Sequence, residues 1–372
     1  MKVMTVVGTR PEIIRLSRVI DRLDRTVDHV LVHTGQNYDH SLNQVFFDDL
    51  GLRAPDHFLN VDTSSLGAVL GGTLAGVERL ITEERPDAFL VLGDTNSCIA
   101  AVMAKRMRVP VYHMEAGNRC FDENVPEETN RRLVDHVADF NLAYTEHARR
   151  NLLAEGLQPR RVLVTGSPMR EVLEHFRPQI DATDAVERLG LTPRGYFLVS
   201  AHREENVDSP ERLRMLLDCL DAVEKEWSLP VVVSTHPRTR KRLEALGVDT
   251  AGDRIRFMEP FGFHDYNKLQ LEAACVLSDS GTIAEEASIL GFPAVTLRDS
   301  IERPEALDSG SILMTGLDSS SLPAAVAIAM SGGSQSSMPI GYEVGDTSNR
   351  VVRFIVSTAG RHHAWAGIRT TT

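Results

Sequence analysis

The residues able to do chemistry in this chain cluster at the ends of short apolar runs. Gly8-Thr9-Arg10-Pro11-Glu12 follows Val3–Val7, Asp94 closes Phe89-Leu90-Val91-Leu92-Gly93-Asp94, and Glu115 closes Val111-Tyr112-His113-Met114-Glu115. Each run reads as a buried strand, and in open α/β sheets the carboxyl ends of parallel strands form the ligand crevice. Arg10 stands where a helix begins, so its guanidinium and the free N–H groups of the first turn together make an anion site. An Arg10–Glu12 surface pair is the competing reading, and Asp94 alone is equally the cap of the next helix. Two acids and an arginine at one sheet edge are harder to explain that way. The charged segment Asn118–Arg132 starts a helix at Pro126 and leaves directly from the Glu115 strand end. Glu127–Arg131 and Glu128–Arg132 are spaced as i,i+4 pairs of an exposed helix face, yet the path of the chain also brings a third carboxylate to the same edge. His113 and Glu115 share a strand face, but no third ligand at a recognisable spacing accompanies them, so no metal is expected.

The second half carries a different set. Ser200-Ala201-His202-Arg203 and Ser234-Thr235-His236-Pro237-Arg238 both place a histidine and an arginine after a strand, a pattern suited to phosphate recognition. In Ser278-Asp279-Ser280-Gly281-Thr282 a strand stops, a hydroxyl and a glycine allow close backbone approach, and a helix begins with its N–H groups facing the crevice. That arrangement suits a diphosphate. Glu286, one turn into the helix, can accept from ribose hydroxyls, and Arg303 follows the next strand.

These residues need a scaffold of alternating strands and helices. Runs at Val3–Val7, Val30–His33, Ala88–Leu92, Val109–His113, Asn141–Tyr144 and Val162–Thr165 are separated by helical stretches such as Ser64–Glu84, Ser97–Arg106 and Pro126–Ala138. A second series comprises Tyr196–Ser200, Pro230–Ser234, Arg254–Met258, Ala274–Ser278 and Pro293–Leu297. Alternation at this spacing predicts βαβ units, an α/β class and two Rossmann-like domains with a cleft between them. The expected division is 1–172 and 173–345, with a loop at Ser331–Ser337 and the C-terminal helix within 346–372 packing back on either domain, the first being its expected partner. A chain of 372 residues suits two domains, and 42% hydrophobic content supplies two cores.

Composition narrows the function classes. A net charge of −12 argues against nucleic-acid or anionic-membrane partners, though an acidic shell can enclose a basic pocket. Four scattered cysteines form neither a disulfide framework nor a zinc motif, no apolar run reaches 18 residues, and the first eight residues read as a strand rather than a signal segment. A cytoplasmic protein is expected. Gly8 is the only glycine where a dinucleotide fold carries Gly-x-Gly-x-x-Gly, so a nicotinamide cofactor, or any other, is not expected.

Read in order, Gly-Thr-Arg-Pro-Glu at 8–12, Gly-Asp-Thr at 93–95, His-x-Glu-Ala-Gly at 113–117, Pro-Glu-Glu-x-Asn-Arg at 126–131, His-Arg at 202–203, Ser-Asp-Ser-Gly at 278–281 and Glu-Arg-Pro-Glu at 302–305 resemble the non-hydrolysing UDP-N-acetylglucosamine 2-epimerases. The resemblance implies a glycosyltransferase-B-like fold, an active site in the interdomain cleft, a UDP-sugar substrate and a homodimer. It implies Asp94, Glu115 and Glu127 as acid/base residues, with His202 and Arg10 stabilising charge on a departing diphosphate. Arg15, His236, Ser280, Gly281, Thr282, Glu286 and Arg303 complete the implied substrate-binding set. The chemistry implied is loss of UDP from carbon 1 with a proton from carbon 2, then re-addition through the opposite face.

Several positions depart from the family pattern. Arg15 stands where lysine is usual, Thr282 replaces a common second glycine, and Gln36-Asn37-Tyr38 differs from the Gln-His-Arg linked to activation by a second UDP-sugar. The run Gly117–Glu128 is closer to the branch that makes UDP-N-acetyl-L-fucosamine from a 6-deoxy talo sugar. A glycosyltransferase of the same architecture, or a non-catalytic UDP-sugar-binding protein, is the reading from another class.

Overall fold

The protein is described from a computed structural model covering residues 1–35, 47, 49–248, 250, 252–332 and 337–369. Gln36-Asn37-Tyr38 and most of the expected Ser331–Ser337 loop lie outside the described residues. The chain divides into two compact units. One comprises Met1–Arg119, Pro126–Glu174 and Ile340–Thr372, and the other comprises Cys120–Val125 and His175–Pro339.

In the first unit the described strands are β1 (Lys2–Val7), β2 (Asp28–His33), β3 (His57–Phe58), β4 (Ala88–Leu92), β5 (Val111–Met114), β6 (Phe140–Ala143) and β7 (Val162–Val164). They form a parallel sheet in the order β3-β2-β1-β4-β5-β6-β7. The order reverses beside β1, which therefore marks the switch point where α/β sheets bind ligands. Helices α1 (Arg10–Thr26), α2 (Leu66–Glu84), α3 (Ala100–Arg106), α4 (Glu127–Val137) and α5 (Glu146–Ala154) cross over between strands. α1 is helical because Ile13, Leu16, Val19, Ile20 and Leu23 recur at helical spacing on its buried face and Pro11 is accommodated in its first turn, where its missing N–H costs nothing. Ser65 caps α2 by accepting from the Ala68 N–H at 3.1 Å. One core face joins Val6, Val32, Phe89, Val91 and Val111 of the sheet to Val77, Leu80 and Ala101 of the helices.

The second unit repeats the scheme with β8 (Phe197–Ser200), β9 (Val231–Ser234), β10 (Ile255–Met258), β11 (Cys275–Ser278), β12 (Ala294–Thr296) and β13 (Leu313–Met314). Their order is β10-β9-β8-β11-β12-β13, again parallel, with the switch point between β8 and β11. The helices that matter for the site are α6 (Pro210–Trp227), α7 (Pro237–Ala245), α8 (Phe263–Glu272) and α9 (Ile283–Leu290). Leu213, Leu216 and Leu220 of α6 pack on Val199, Val233 and Leu277. The C-terminal helix Thr347–Thr358 belongs to the first unit, where Arg22 Nε donates to Ser348 Oγ at 2.9 Å and the Tyr112 and Thr358 hydroxyls lie 2.7 Å apart.

The expected strands are present with ends shifted by a residue or two. The strand expected at Val109–His113 runs Val111–Met114, because Pro110 has no N–H to give a ladder and Arg108 turns the chain with φ of 64°. The helix expected from Ser97 begins instead as a 3-10 turn, Asn96–Ile99, before α3. The two-residue strands β3 and β13 are additions that no periodicity in so short a run announces.

Candidate active site

At the switch point of the first sheet, the turns after β1, β4 and β5 converge because those strands are neighbours. Gly8 N–H and Thr9 Oγ1 donate to Glu12 Oε2 at 3.0 and 2.7 Å, and Ser97 Oγ donates to Glu12 Oε1. Glu12 is 1% exposed, and burial raises its carboxyl above the ordinary value against the lowering effect of these donors. The Arg10–Glu12 surface pair is thereby excluded, since Glu12 is an internal brace of the β1 turn. Arg10 itself is half-buried, and desolvation lowers its guanidinium from the ordinary value.

Asp94 and Glu115 emerge from paired strands, Leu92 standing opposite Met114 in the ladder. Arg131 of α4 grips Asp94, with Nε and Nη2 each 2.7 Å from Oδ2. Asn130 Nδ2 donates to the Asp94 carbonyl at 2.8 Å. Asp94 is therefore not the cap of the next helix. Arg131 Nη1 also donates to Glu128 Oε2 at 2.9 Å, and both residues are buried. The expected i,i+4 pair of Glu128 with Arg132 is present at 3.2 Å, but Glu128 and Arg131 are buried against the site and not solvated. Glu127, the first residue of α4, is half-buried beside it.

Glu115 is held differently. Arg15 Nη1 donates to its Oε2 at 2.6 Å, Asn118 Nδ2 to its Oε1 at 3.4 Å, and both members of the ion pair are nearly out of solvent. Its backbone is left-handed, φ 65°, a conformation that costs a non-glycine residue free energy and that gathers at functional sites. Gly117, two residues on, has φ 86°, and a Cβ there would lie 2.3 Å from the Ala148 carbonyl oxygen. Only glycine fits that turn.

In the second unit, Asp279 at the end of β11 is buried and organises the β8 turn. It accepts from the His202 N–H at 3.0 Å, the Arg203 N–H at 3.0 Å and Asn206 Nδ2 at 3.1 Å. The His202 and His236 rings, from adjacent strand ends, have centroids 5.9 Å apart. Ser280 Oγ and Thr282 Oγ1 lie 3.0 Å apart at the start of α9. Arg303 Nη1 donates to the Gly281 carbonyl at 2.8 Å, and a Cβ on Gly281 would lie 3.1 Å from Arg303 Nη1 and Glu302 Oε1 and 3.4 Å from Arg203 Nη2. A glycine with two guanidinium groups about it gives a backbone that an anion can approach closely. Beneath this loop lies a cavity of about 10 Å³ lined by Thr296, Arg298 and Glu302 among others, with Arg298 Nη1 2.5 Å from Glu302 Oε2. Glu286 accepts from Gln270 Nε2 of α8 at 2.7 Å.

Comparison with known proteins gives the family. Residues 21–356 match the UDP-N-acetylglucosamine 2-epimerase family. The chain belongs to that family. A UDP-N-acetylglucosamine 2-epimerase of Methanocaldococcus jannaschii is 35% identical over 95% of this chain and 99% of its own. The solved UDP-N-acetylglucosamine 2-epimerase of Rickettsia bellii superposes with a TM-score of 0.93 at 45% identity, covering 99% of this chain and all (100%) of that one. A structure of the M. jannaschii UDP-GlcNAc 2-epimerase in complex with UDP-GlcNAc and UDP gives 0.90 at 34% identity, covering 96% and 100%. The two parallel sheets accordingly form a glycosyltransferase-B-like α/β fold.

For this epimerase-family chain, sequence reasoning located the strand-end groups and missed their supports. Asp94 and Glu115 lie at neighbouring turns of one sheet, Arg10 and Arg15 on the first two turns of α1, and Glu127 at the start of the helix that holds Asp94. His202, His236, Ser280, Gly281, Thr282, Glu286 and Arg303 gather about the ends of β8, β9 and β11 and the start of α9. Asp135, Arg119, Arg131, Gln270 and Glu302 were not picked out for the contacts they make. One signal was available: Glu128, Arg131 and Asp135 recur at i, i+3 and i+7, the spacing of a buried helical face, in a helix whose first turn is charged. Among the described residues no helix is long and apolar enough to cross a membrane, and no cluster of three or more acidic, histidine or cysteine side chains is arranged to hold a metal.

Proposed function

We propose that this protein interconverts UDP-N-acetylglucosamine and UDP-N-acetylmannosamine by eliminating and re-adding UDP. The observation that carries the reading is the pair Asp94 and Glu115, delivered by adjacent strands and each fixed by its own arginine at 2.6–2.7 Å. The hydrogen on carbon 2 is not beside a carbonyl, so its removal needs transient oxidation elsewhere on the sugar or departure of a leaving group, and the dinucleotide fingerprint that would favour oxidation is lacking at Gly8–Glu12. One carboxylate takes the proton, the C2–H electrons form a C1=C2 bond, and the C1–O bond breaks with its electron pair going to the UDP β-phosphate. Re-addition delivers a proton to the opposite face of carbon 2 while that phosphate oxygen re-forms the bond to carbon 1. Acids anchored at different turns suit a step that needs proton transfer on two faces of one ring. Glu127 is the third candidate.

The second unit binds the nucleotide in this reading. Ser280, Gly281 and Thr282 offer backbone N–H groups and hydroxyls to the diphosphate, and Arg303 and His236 stand beside it. His202 neutralises negative charge as it develops on the leaving oxygen, a contribution made in the transition state. Glu286, oriented by Gln270, accepts from ribose hydroxyls. Arg10 and Arg15 add positive charge at the sugar end. A homodimer in the cytoplasm is part of the same reading, supported by the family resemblance, and sedimentation of the purified chain tests the assembly.

The test is incubation with UDP-N-acetylglucosamine alone in heavy water, followed by proton NMR. UDP-N-acetylmannosamine carrying deuterium at carbon 2, without free sugar, is the expected product. Asp94→Asn and Glu115→Gln should lose turnover by at least 100-fold while still binding UDP. An absolute need for a sugar acceptor would make the protein a transferase, and exchange only with a 6-deoxy talo substrate would move it to the fucosamine-forming branch.

A further inference from the structure

Helix α4 carries one more acid, Asp135, fully buried at 0% exposure. Its carboxylate takes no part in the chemistry above, yet its side-chain partners all come from one turn. Oδ1 lies 2.9 Å from His113 Nδ1, the Gly117 N–H points at both oxygens at 3.1 and 3.3 Å, and Arg119 Nη1 donates to Oδ2 at 2.7 Å. Those partners sit two residues before, two after and four after Glu115. His113 is locked from its other nitrogen too, Nε2 being 2.8 Å from the Gly93 carbonyl. Arg119 is gripped in turn by Glu155, at 2.8 and 2.7 Å, and Asn151 Nδ2 donates to the Gly117 carbonyl at 3.0 Å.

A buried carboxylate is costly, and an apolar side chain would hold helix to sheet with no such penalty. Here the carboxylate restrains a turn that includes a left-handed glutamate, a conformation that persists only where the surroundings over-determine it. We infer that Asp135 is a positioning residue for Glu115: by gripping His113, Gly117 and Arg119 it fixes the left-handed turn that aims the Glu115 carboxylate. This inference rests on the epimerase reading, in which Glu115 exchanges a proton with the sugar.

The test compares wild type with Asp135→Asn, which keeps the shape and removes the charge. Thermal unfolding locates the melting transition of both proteins, and kinetic constants, carbon-2 deuterium incorporation and UDP affinity by calorimetry are measured below it. The expected result is a fall in kcat and in carbon-2 exchange of at least fivefold, with UDP affinity within twofold. A smaller fall, or a fall shared equally by UDP affinity, overturns the assignment and leaves Asp135 a purely structural group. Should Asp135→Asn not fold, Asn151→Ala removes a milder restraint on the same turn. A loss of at least twofold in kcat at unchanged UDP affinity then supports the inference, and wild-type turnover overturns it. Failure of the wild type itself to exchange the carbon-2 proton of any UDP-N-acetyl sugar defeats the epimerase reading and this inference together, whereas an active wild type beside an equally active variant defeats only the inference.

Discussion

Replacing Glu115 by glycine sets two effects of opposite sign against each other, and the structure says which wins. Glu115 sits at φ 65°, where an L-residue carries about 1–2 kcal/mol of strain that glycine does not. Glycine returns roughly 0.5–1 kcal/mol of that through the greater entropy of the unfolded chain, so the backbone term alone favours the variant by about 0.5–1 kcal/mol. Against it stands the 2.6 Å pair with Arg15, both side chains below a tenth exposed. Removing one member of a buried pair of this kind costs about 3–5 kcal/mol. Glu115→Gly should therefore destabilise the first unit by about 2–4 kcal/mol. In an Arg15→Met background the 2.6 Å pair is already gone, so the same substitution should cost about 0.5–3 kcal/mol less than in the wild type. The assay is a double-mutant cycle in urea, followed by hydrogen exchange of the β4 and β5 amides so that the first unit is read separately from the second. An equal cost in both backgrounds, or a stabilising Glu115→Gly in the wild type, would refute the reasoning, because Arg15 would then contribute nothing to holding the carboxylate.

Gly117→Ala should destabilise by about 2–5 kcal/mol, since the new Cβ meets backbone that has no easy way to yield, and thermal unfolding near the wild-type temperature would contradict the placement of Ala148. Glu12→Gln tests the buried carboxyl. Because burial raises its pKa in the folded state, the native protein is favoured when Glu12 is protonated and loses stability as pH rises from roughly 4, its unfolded value, through the raised folded value. The variant does not titrate there, so its stability relative to wild type should climb over that interval and level off above it; a difference flat from pH 4 to 8 counts against the assignment. Gln270→Leu removes the donor that orients Glu286, a charge-assisted bond of about 1.5–3 kcal/mol, and should weaken UDP binding by tenfold or more with little change in kcat at saturation, as calorimetry and steady-state kinetics will report.

What the sequence disclosed and what it concealed follow from range. Buried parallel strands announce themselves as β-branched runs because both faces are covered, and a polar residue at the end of such a run is already near a crevice, which is why Asp94, Glu115, His202 and Ser280 stand out without coordinates. Pairing across long separations does not announce itself. Arg15 and Glu115 are 100 residues apart, and Asp279 reaches the His202 N–H across 77. Glu12 misled for a local reason: an acid in the first turn of a helix usually complements the dipole at the surface, whereas here a hydroxyl from Ser97 closes over it. Arg131 lies on the inward face with Glu128 and reaches Asp94, 37 residues away, a contact that local spacing does not disclose.

The position of α4 gives these details a common cause. Strands β4 and β5 bring Asp94 and Glu115 to one edge, but a strand end leaves a side chain free to swing, and loops alone would set the two carboxylates independently. α4 touches both. Its Arg131 and Asn130 hold Asp94 by side chain and carbonyl, its Asp135 holds the turn on either side of Glu115, and Glu127 is its first residue. Val134, fully buried between these polar contacts, fastens the helix to the sheet through the same core that contains Phe89, Val91 and Val111 of β4 and β5. The separation of the acids is thus set by the packing of one helix on two paired strands. In the epimerisation proposed above, proton transfer on two faces of one ring needs that separation held constant, which accounts for a helix in this position carrying three buried charges, Glu128, Arg131 and Asp135.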